Sequence, residues 1–342
     1  MALISNMPTE VSEKLDLLPS LDEIREAQKL IYSIMQPTPQ LSWPLLNQRL
    51  GTEVWVKHEN HSPIGAFKAR TAIVYVAELL KREKGLRGLI TATRGNHGQS
   101  VALAGQSFRI PVTIVVPFGN SVEKNAAMHA QGAKLIEFGT DFQESREYAA
   151  QIAAEQGLHM VQPYHRDIVK GVASYWMELF GAVNELDLVY APIGMGSGIC
   201  SACAVRNALG LKTKIVAVVA DGAPAYGLSL EQGRTVEAAV TTNIADGMAC
   251  RTPDEDALQI MRENVERVVR VSDDEIRRAM RIYFTDTHNV VEGAGAAALA
   301  AALKEKDSLQ GKRVGVIATG GNVDSDVFAA VLLASDSVQM GH

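Results

Sequence analysis

Short runs of β-branched and other apolar residues alternate along this chain with longer, Ala-rich stretches of helical character. The runs predict strands at 53–59 (EVWVKHE), 88–93, 111–117, 134–139, 188–194, 214–220 and 313–320. The longer stretches predict helices at roughly 21–34, 67–83, 97–107, 122–131, 142–156, 169–183, 199–209, 255–265, 273–285 and 293–305. Ser272 and Glu275 form an S-x-x-E capping box at the start of one of them. The strand runs show little polar alternation, as expected where helices cover both faces of a parallel sheet. The pattern is α/β, with open, mainly parallel sheets flanked by helices.

Composition narrows the class. At 342 residues the chain suits one large or two medium domains. Hydrophobic residues make up 47% and charged residues 21%, ordinary for a globular protein with a substantial core. The net charge of -6, with no dense Lys/Arg run, argues against nucleic acid or an anionic membrane as partner. Glu10 and Glu13 come early, no leader-like apolar run precedes them, and no stretch approaches about 18 uninterrupted apolar residues, so a cytoplasmic location is expected. Three cysteines, Cys200, Cys203 and Cys250, are too few and too odd in number for a disulfide framework. CSAC at 200–203 lies in a small-residue helical stretch with no second Cys/His pair, and reads as core.

Candidate chemistry collects just beyond the strands. TRGNHG follows 88–93, GMGSG follows 188–193, and TGGN follows 313–318. Ligands of open α/β sheets bind past the carboxyl ends of strands, so one shared site is expected. In GMGSGICSAC a glycine loop opens a helix, an arrangement whose N–H groups hold phosphate. No Gly-Lys-Ser/Thr follows, as a nucleotide P-loop requires, and the third glycine comes one position too early for a dinucleotide fingerprint. A phosphate-bearing cofactor of another kind remains, beside a plain tight strand–helix turn. One lysine, Lys68, sits in HSPIGAFKAR directly after Phe67, in an apolar, glycine-flanked turn. Such a lysine needs a partner or a reaction.

Six segments then combine in order: SPIGAFKAR, TRGNHGQS, PIGMGSGICS, IADGMA, VVEGAGAAALA and ATGGNVD. Together they resemble the pyridoxal-phosphate enzymes of the tryptophan-synthase β-like family (fold type II), within it the threonine/serine dehydratases and serine racemases. The resemblance spans about residues 21–330. It implies two sheets with the cofactor between two domains: a large one of 1–85 and 166–342, and a small one of 86–165 that closes over the substrate. Lys68 corresponds to the lysine that holds the cofactor aldehyde covalently and then removes the substrate α-proton. Phe67 and Gly247 would flank the ring, Asn96 would bond its hydroxyl, and Gly194, Met195, Gly196, Ser197 and Gly198 would cradle the phosphate. Thr319 would face the ring nitrogen, where a neutral hydroxyl leaves it largely unprotonated, a weaker sink suited to expelling a β-substituent. Thr93, Arg94, Gly95, Asn96 and His97 would form the substrate-carboxylate clamp, His97 in a mainly structural role. Glu292 is expected near the cofactor. The implied reaction is β-elimination: the β-hydroxyl leaves with a proton from the cofactor phosphate, and the released enamine hydrolyses to a 2-oxo acid and ammonia. A homodimer is what the family suggests.

The departures from the pattern matter. Arg94 stands where a small residue, often serine, is usual. In racemases that serine is the second base; arginine stays protonated and accepts no proton, which disfavours racemisation. Arg94 either faces outward, pairs with a local carboxylate, or grips a second anionic group on the substrate, such as the β-carboxylate of 3-hydroxyaspartate. Asp221 has Gly227 where the family's divalent-metal site has a second acid, so no tight metal is expected there. Gly293 replaces a common proline. The tail SDSVQMGH is too short for an effector-binding domain, so feedback through one is not expected. A β-replacing synthase is a further reading within the fold, disfavoured by GNH in place of the usual GNT. A non-catalytic nucleotide or ligand binder is the reading outside it.

Overall fold

A computed structural model describes residues 17–334; the leader and tail expectations above fall outside them. Ten strands occur: β1 Gln40–Ser42, β2 Glu53–His58, β3 Leu89–Ala92, β4 Val112–Val116, β5 Lys134–Glu137, β6 His159–Met160, β7 Leu188–Pro192, β8 Lys214–Ala220, β9 Arg267–Val271 and β10 Arg313–Ala318. The helices are α1 Leu21–Tyr32, α2 Pro44–Leu50, α3 Ala69–Arg82, α4 Asn96–Phe108, α5 Val122–Ala130, α6 Phe142–Gln156, α7 Arg166–Ala182, α8 Ser197–Ala208, α9 Ala225–Gln232, α10 Glu255–Asn264, α11 Asp273–Thr287, α12 Gly293–Lys304 and α13 Ser325–Leu333.

The strands form two sheets, one of six in the order β1-β2-β10-β7-β8-β9 and one of four in the order β5-β4-β3-β6. Only the β1–β2 pair is antiparallel. The α/β reading with two mainly parallel sheets holds. All seven predicted strands and ten predicted helices form, with ends shifted by up to a few residues. One shift matters: α3 begins at Ala69 rather than 67, leaving Phe67 and Lys68 in the turn before it. The predicted capping box at Ser272 forms, with both reciprocal bonds in place.

Helix α12 is the central covering element. Its GAGAAALAAALK sequence lets backbone approach strand closely, and Gly293 to Ala302 are buried against the six-stranded sheet. Helices α3, α7 and α8 cover the other face, with Trp176, Tyr175 and Leu179 in that core. Cys200 and Cys203 are buried there as free thiols, as their helical setting implied. Among the described residues no helix is long and apolar enough to cross a membrane.

Candidate active site

Strand β10 lies between β2 and β7, so the segments leaving the carboxyl ends of all three emerge side by side. The segment after β2 folds back onto the one after β10. Phe67 N–H donates to the Thr319 carbonyl (2.9 Å), Gly321 N–H to the Gly65 carbonyl (2.8 Å), and Ala66 pairs with Gly320. Asn322 Nδ2 donates to the Ile64 carbonyl at 2.8 Å. The Lys68 turn is therefore held as a short ladder against TGGN.

Behind Lys68 lies a buried ionic network. Arg70 donates through Nε and Nη2 to Glu59 (2.8 and 3.0 Å) and through Nη1 to Glu178 (2.6 Å) and Ser174 (2.9 Å). Lys57 Nζ also reaches Glu178, at 2.5 Å. The side chains of Lys57, Glu59 and Arg70 are 0% exposed, so two cations and two anions compensate one another away from water. The network joins β2, α3 and α7 and fixes the start of α3.

Lys68 itself has no carboxylate partner among the described residues. Its Nζ lies 5.0 Å from the centre of the Phe67 ring, and that ring packs edge-on against Tyr175. Burial alone pushes its amine down to about 8. A lysine poised there holds about a tenth of its amine free at pH 7, far more than an ordinary lysine.

The loop after β7 turns its donors toward the same space. Its carbonyls are tied back: Met195 O accepts from Tyr226 Oη (2.9 Å), Gly198 O from Trp176 Nε1 (2.9 Å), and Ser197 O from Ser201 Oγ (2.5 Å). The backbone N–H groups of residues 194–198 find no acceptor among the described residues, at the amino end of a 12-residue helix. Gly196 sits at φ +98° with a Cβ position 2.7 Å from Ala257 Cβ, so only glycine fits. Gly194 packs against the Gly247 carbonyl, which brings IADGM into the site. Thr319 is buried and its hydroxyl makes no hydrogen bond among the described residues.

The fourth segment comes from the other sheet. After β3, Thr93 Oγ1 accepts from Gly95 N–H (3.1 Å) and α4 starts at Asn96. Asn96 Nδ2 donates to Glu292 Oε1 and Asn96 Oδ1 accepts from Asn322 Nδ2, both at 2.7 Å. One side chain thus bridges the two sheets' loops. Burial pushes the Glu292 carboxyl up to about 7, against the opposing pull of Lys124 and the Asn96 bond. His97 has both ring nitrogens enclosed without a well-aligned hydrogen bond; burial and the nearby Lys68 charge push its imidazole down to about 3. It stays neutral and is no proton donor in the physiological range. Arg94 is exposed, has no partner among the described residues, and lines a cavity of about 140 Å³ with Phe118, Ser121, Lys124, Asp246 and Asp324. Asp221 is exposed at the end of β8, with Gly227 buried in α9.

Every site residue read from the sequence lies at or beside this convergence. Asn322 and Lys124 were not singled out. Asn322 is inside the quoted TGGN, and a side-chain amide directly after two glycines was the available signal. Lys124 sits in an unremarkable helical turn, VEKNAA, and carries no signal of its own.

A family profile described as pyridoxal-phosphate dependent enzyme matches residues 31–320. The chain belongs to that family. Its cofactor is pyridoxal 5'-phosphate. Over 317 residues the chain is 32% identical to the L-threo-3-hydroxyaspartate ammonia-lyase of Saccharomyces cerevisiae, covering 92% of this chain and 97% of that one. It is 30% identical to the L-threonine ammonia-lyase of Thermotoga maritima, covering 92% and 78%. The structure of maize serine racemase superposes with a TM-score of 0.85 at 28% identity, covering 91% and 96%. The cofactor fits what is present among the described residues: a row of N–H donors without acceptors, a lysine with no carboxylate partner, and a Thr319 hydroxyl without a hydrogen bond.

Proposed function

We propose that this enzyme is an ammonia-lyase that converts a β-hydroxy amino acid of the threonine/serine type to a 2-oxo acid and ammonia by β-elimination. The observation that carries the reading is Lys68: a lone amine, pushed down to about 8 by burial, where loops from three adjacent strands meet. Pyridoxal phosphate supplies the electron sink that makes the substrate α-proton acidic. Gly194, Met195, Gly196, Ser197 and Gly198 would hold the cofactor phosphate through their N–H groups, and Phe67 and Gly247 would flank its ring. Asn96 keeps one amide N–H for the ring hydroxyl while the other holds Glu292. Thr319 places a neutral hydroxyl at the ring nitrogen.

Lys68 takes the α-proton as general base, and the β-hydroxyl departs as water. Water then adds back as the enamine product hydrolyses, so the net change is amino acid to 2-oxo acid plus ammonia. Thr93, Gly95, Asn96 and His97 hold the substrate carboxylate. Supporting that role, the N–H groups of Asn96, His97 and Gly98 have no acceptor among the described residues. Residues 86–165 form the small domain that closes over the substrate, against a large domain of 1–85 and 166–342. The same reading makes the enzyme a cytoplasmic homodimer, checked by its mass in solution and its cell fractionation.

A second substrate reading is favoured by Arg94. Its guanidinium is exposed, unpartnered and on the cavity wall, where the β-carboxylate of L-threo-3-hydroxyaspartate would meet it. Racemisation has less support, because arginine supplies no second base. The test is 2-oxo acid formation from L-serine, L-threonine and L-threo-3-hydroxyaspartate by the native enzyme and Arg94→Ala. Loss of one charge-assisted contact raises the hydroxyaspartate KM about 10- to 100-fold. Unchanged constants for all three sink the Arg94 reading; no oxo acid from any of them sinks the ammonia-lyase reading.

A further inference from the structure

The cleft contains a second cation that the elimination does not use. Lys124 lies in the first turn of α5, and its stem crosses Gly95 so closely that a Cβ there would sit 3.0 Å from Lys124 Cδ. Its side chain is only 16% exposed, yet its ammonium donates no hydrogen bond among the described residues. The carboxylate opposite is Asp246, 3.6 Å away and 59% exposed, too far for a hydrogen bond. Most of the side chain is covered, but the ammonium itself reaches the cavity, so its donors are open to a ligand. Arg94, with five donors and no partner among the described residues, lines the same cavity of about 140 Å³, whose two acids are Asp246 and the Ser121-bonded Asp324.

Lys124 is not needed to anchor α5. Ser121 Oγ donates to Asp324 at 2.6 Å, and Ser325 donates to Glu123 through its N–H (3.0 Å) and hydroxyl (2.5 Å). These bonds already tie the helix's first turn across the cleft. The long Lys124–Asp246 pair is therefore available for exchange. A 3.6 Å ion pair whose aspartate is exposed contributes little, whereas a carboxylate that reaches Lys124 and Arg94 gains charge-assisted hydrogen bonds. The cavity has room for a carboxylate and its waters.

We infer that Lys124 and Arg94 together receive the distal carboxylate of a dicarboxylic substrate, with Asp246 giving up Lys124 as that group arrives. Lys124 is thus a specificity-determining residue, and Asp246 a stand-in for the substrate carboxylate. The inference deepens the ammonia-lyase proposal and rests on it for the identity of the substrate.

Two measurements on the holoenzyme test it. In the first, kcat/KM for L-threo-3-hydroxyaspartate and for L-serine is compared in native enzyme and Lys124→Gln. The ratio between the two substrates falls about 10- to 100-fold if Lys124 holds the distal group. An equal change for both substrates makes Lys124 a structural contact and overturns the inference. In the second, succinate and butyrate are titrated calorimetrically. Native enzyme binds succinate more tightly, Lys124→Gln abolishes that preference, and Asp246→Asn keeps or strengthens it. A preference that survives in Lys124→Gln, or is lost in Asp246→Asn, also overturns the inference. This binding arm needs no turnover, so it still decides the role of Lys124 if the native enzyme eliminates from neither substrate.

Discussion

The two arginines nearest the site, Arg70 and Arg94, are handled in opposite ways. Arg70 is fully buried and makes six hydrogen bonds, to Glu59, Glu178, Ser174 and Thr38. Arg94 is exposed and makes none among the described residues. The contrast extends to the lysines on each side. Lys57 is locked between Glu178 and the Thr38 carbonyl, while Lys124 faces an exposed aspartate at 3.6 Å. The six-stranded side directs these charges inward, where they fix the start of α3 behind Lys68. The four-stranded side leaves its cations unmatched, facing the cleft. Preorganisation on one wall suits a reaction shared across the family, and open donors on the other suit selection of a particular substrate.

The comparison breaks most completely at Lys68. Lys68→Ala removes both the covalent hold on the cofactor and the base, so turnover falls by about 10⁴-fold and cofactor is lost on gel filtration. Lys68→Arg does not restore the rate, because guanidinium stays protonated. Oxo acid release at more than a few per cent of the native rate by Lys68→Ala would remove Lys68 from its role.

The next largest effect separates the two arginines by stability. Arg70→Met leaves Glu59 and Glu178 buried with Lys57 alone to compensate them, which costs about 3–5 kcal/mol. Arg94→Ala at the surface changes stability by no more than about 0.5 kcal/mol. Urea unfolding of the two variants side by side checks this. Similar losses would mean that Arg94 is held by the fold rather than presented to the substrate.

The same contrast explains what the sequence made legible. The loops that carry the chemistry were readable because backbone-led functions leave glycines and short polar motifs in one stretch: GMGSG, TRGNHG, TGGN. That they meet in one place follows from β10 lying between β2 and β7, an order that no local pattern encodes. The ionic network was invisible for a related reason. Lys57, Glu59, Arg70 and Glu178 are spread over 121 residues, and only packing brings them together. Among the elements not predicted, α2 opens at Pro44, which looks like a break, although proline is well tolerated in a first helical turn. Strand β9 reads RVVRV, with Arg267 and Arg270 paired to Glu305 and Glu231 at the sheet edge, so its apolar run is too short to stand out. Strand β6 has only two residues, and α9 contains Gly227.

Glu292 lies where the two walls touch, bonded to Asn96 and near Lys124. Its carboxyl rises from an ordinary 4.5 to about 7, so between these values the native state binds more protons than the unfolded chain. Stability therefore falls as pH rises through that window and levels off above about 7. The full span corresponds to about 3 kcal/mol. Glu292→Gln has no proton to lose, so its urea midpoint relative to native improves from pH 5 to pH 8. A parallel pH response in both proteins would place the Glu292 carboxylate in contact with water. Within this test Lys124 makes the finer distinction. Its positive charge lowers the Glu292 pKa, so Lys124→Gln shifts the fall in stability to higher pH. Such a shift would show that the unmatched cation of the four-stranded side acts electrostatically on the carboxyl beside the cofactor site even before any substrate arrives.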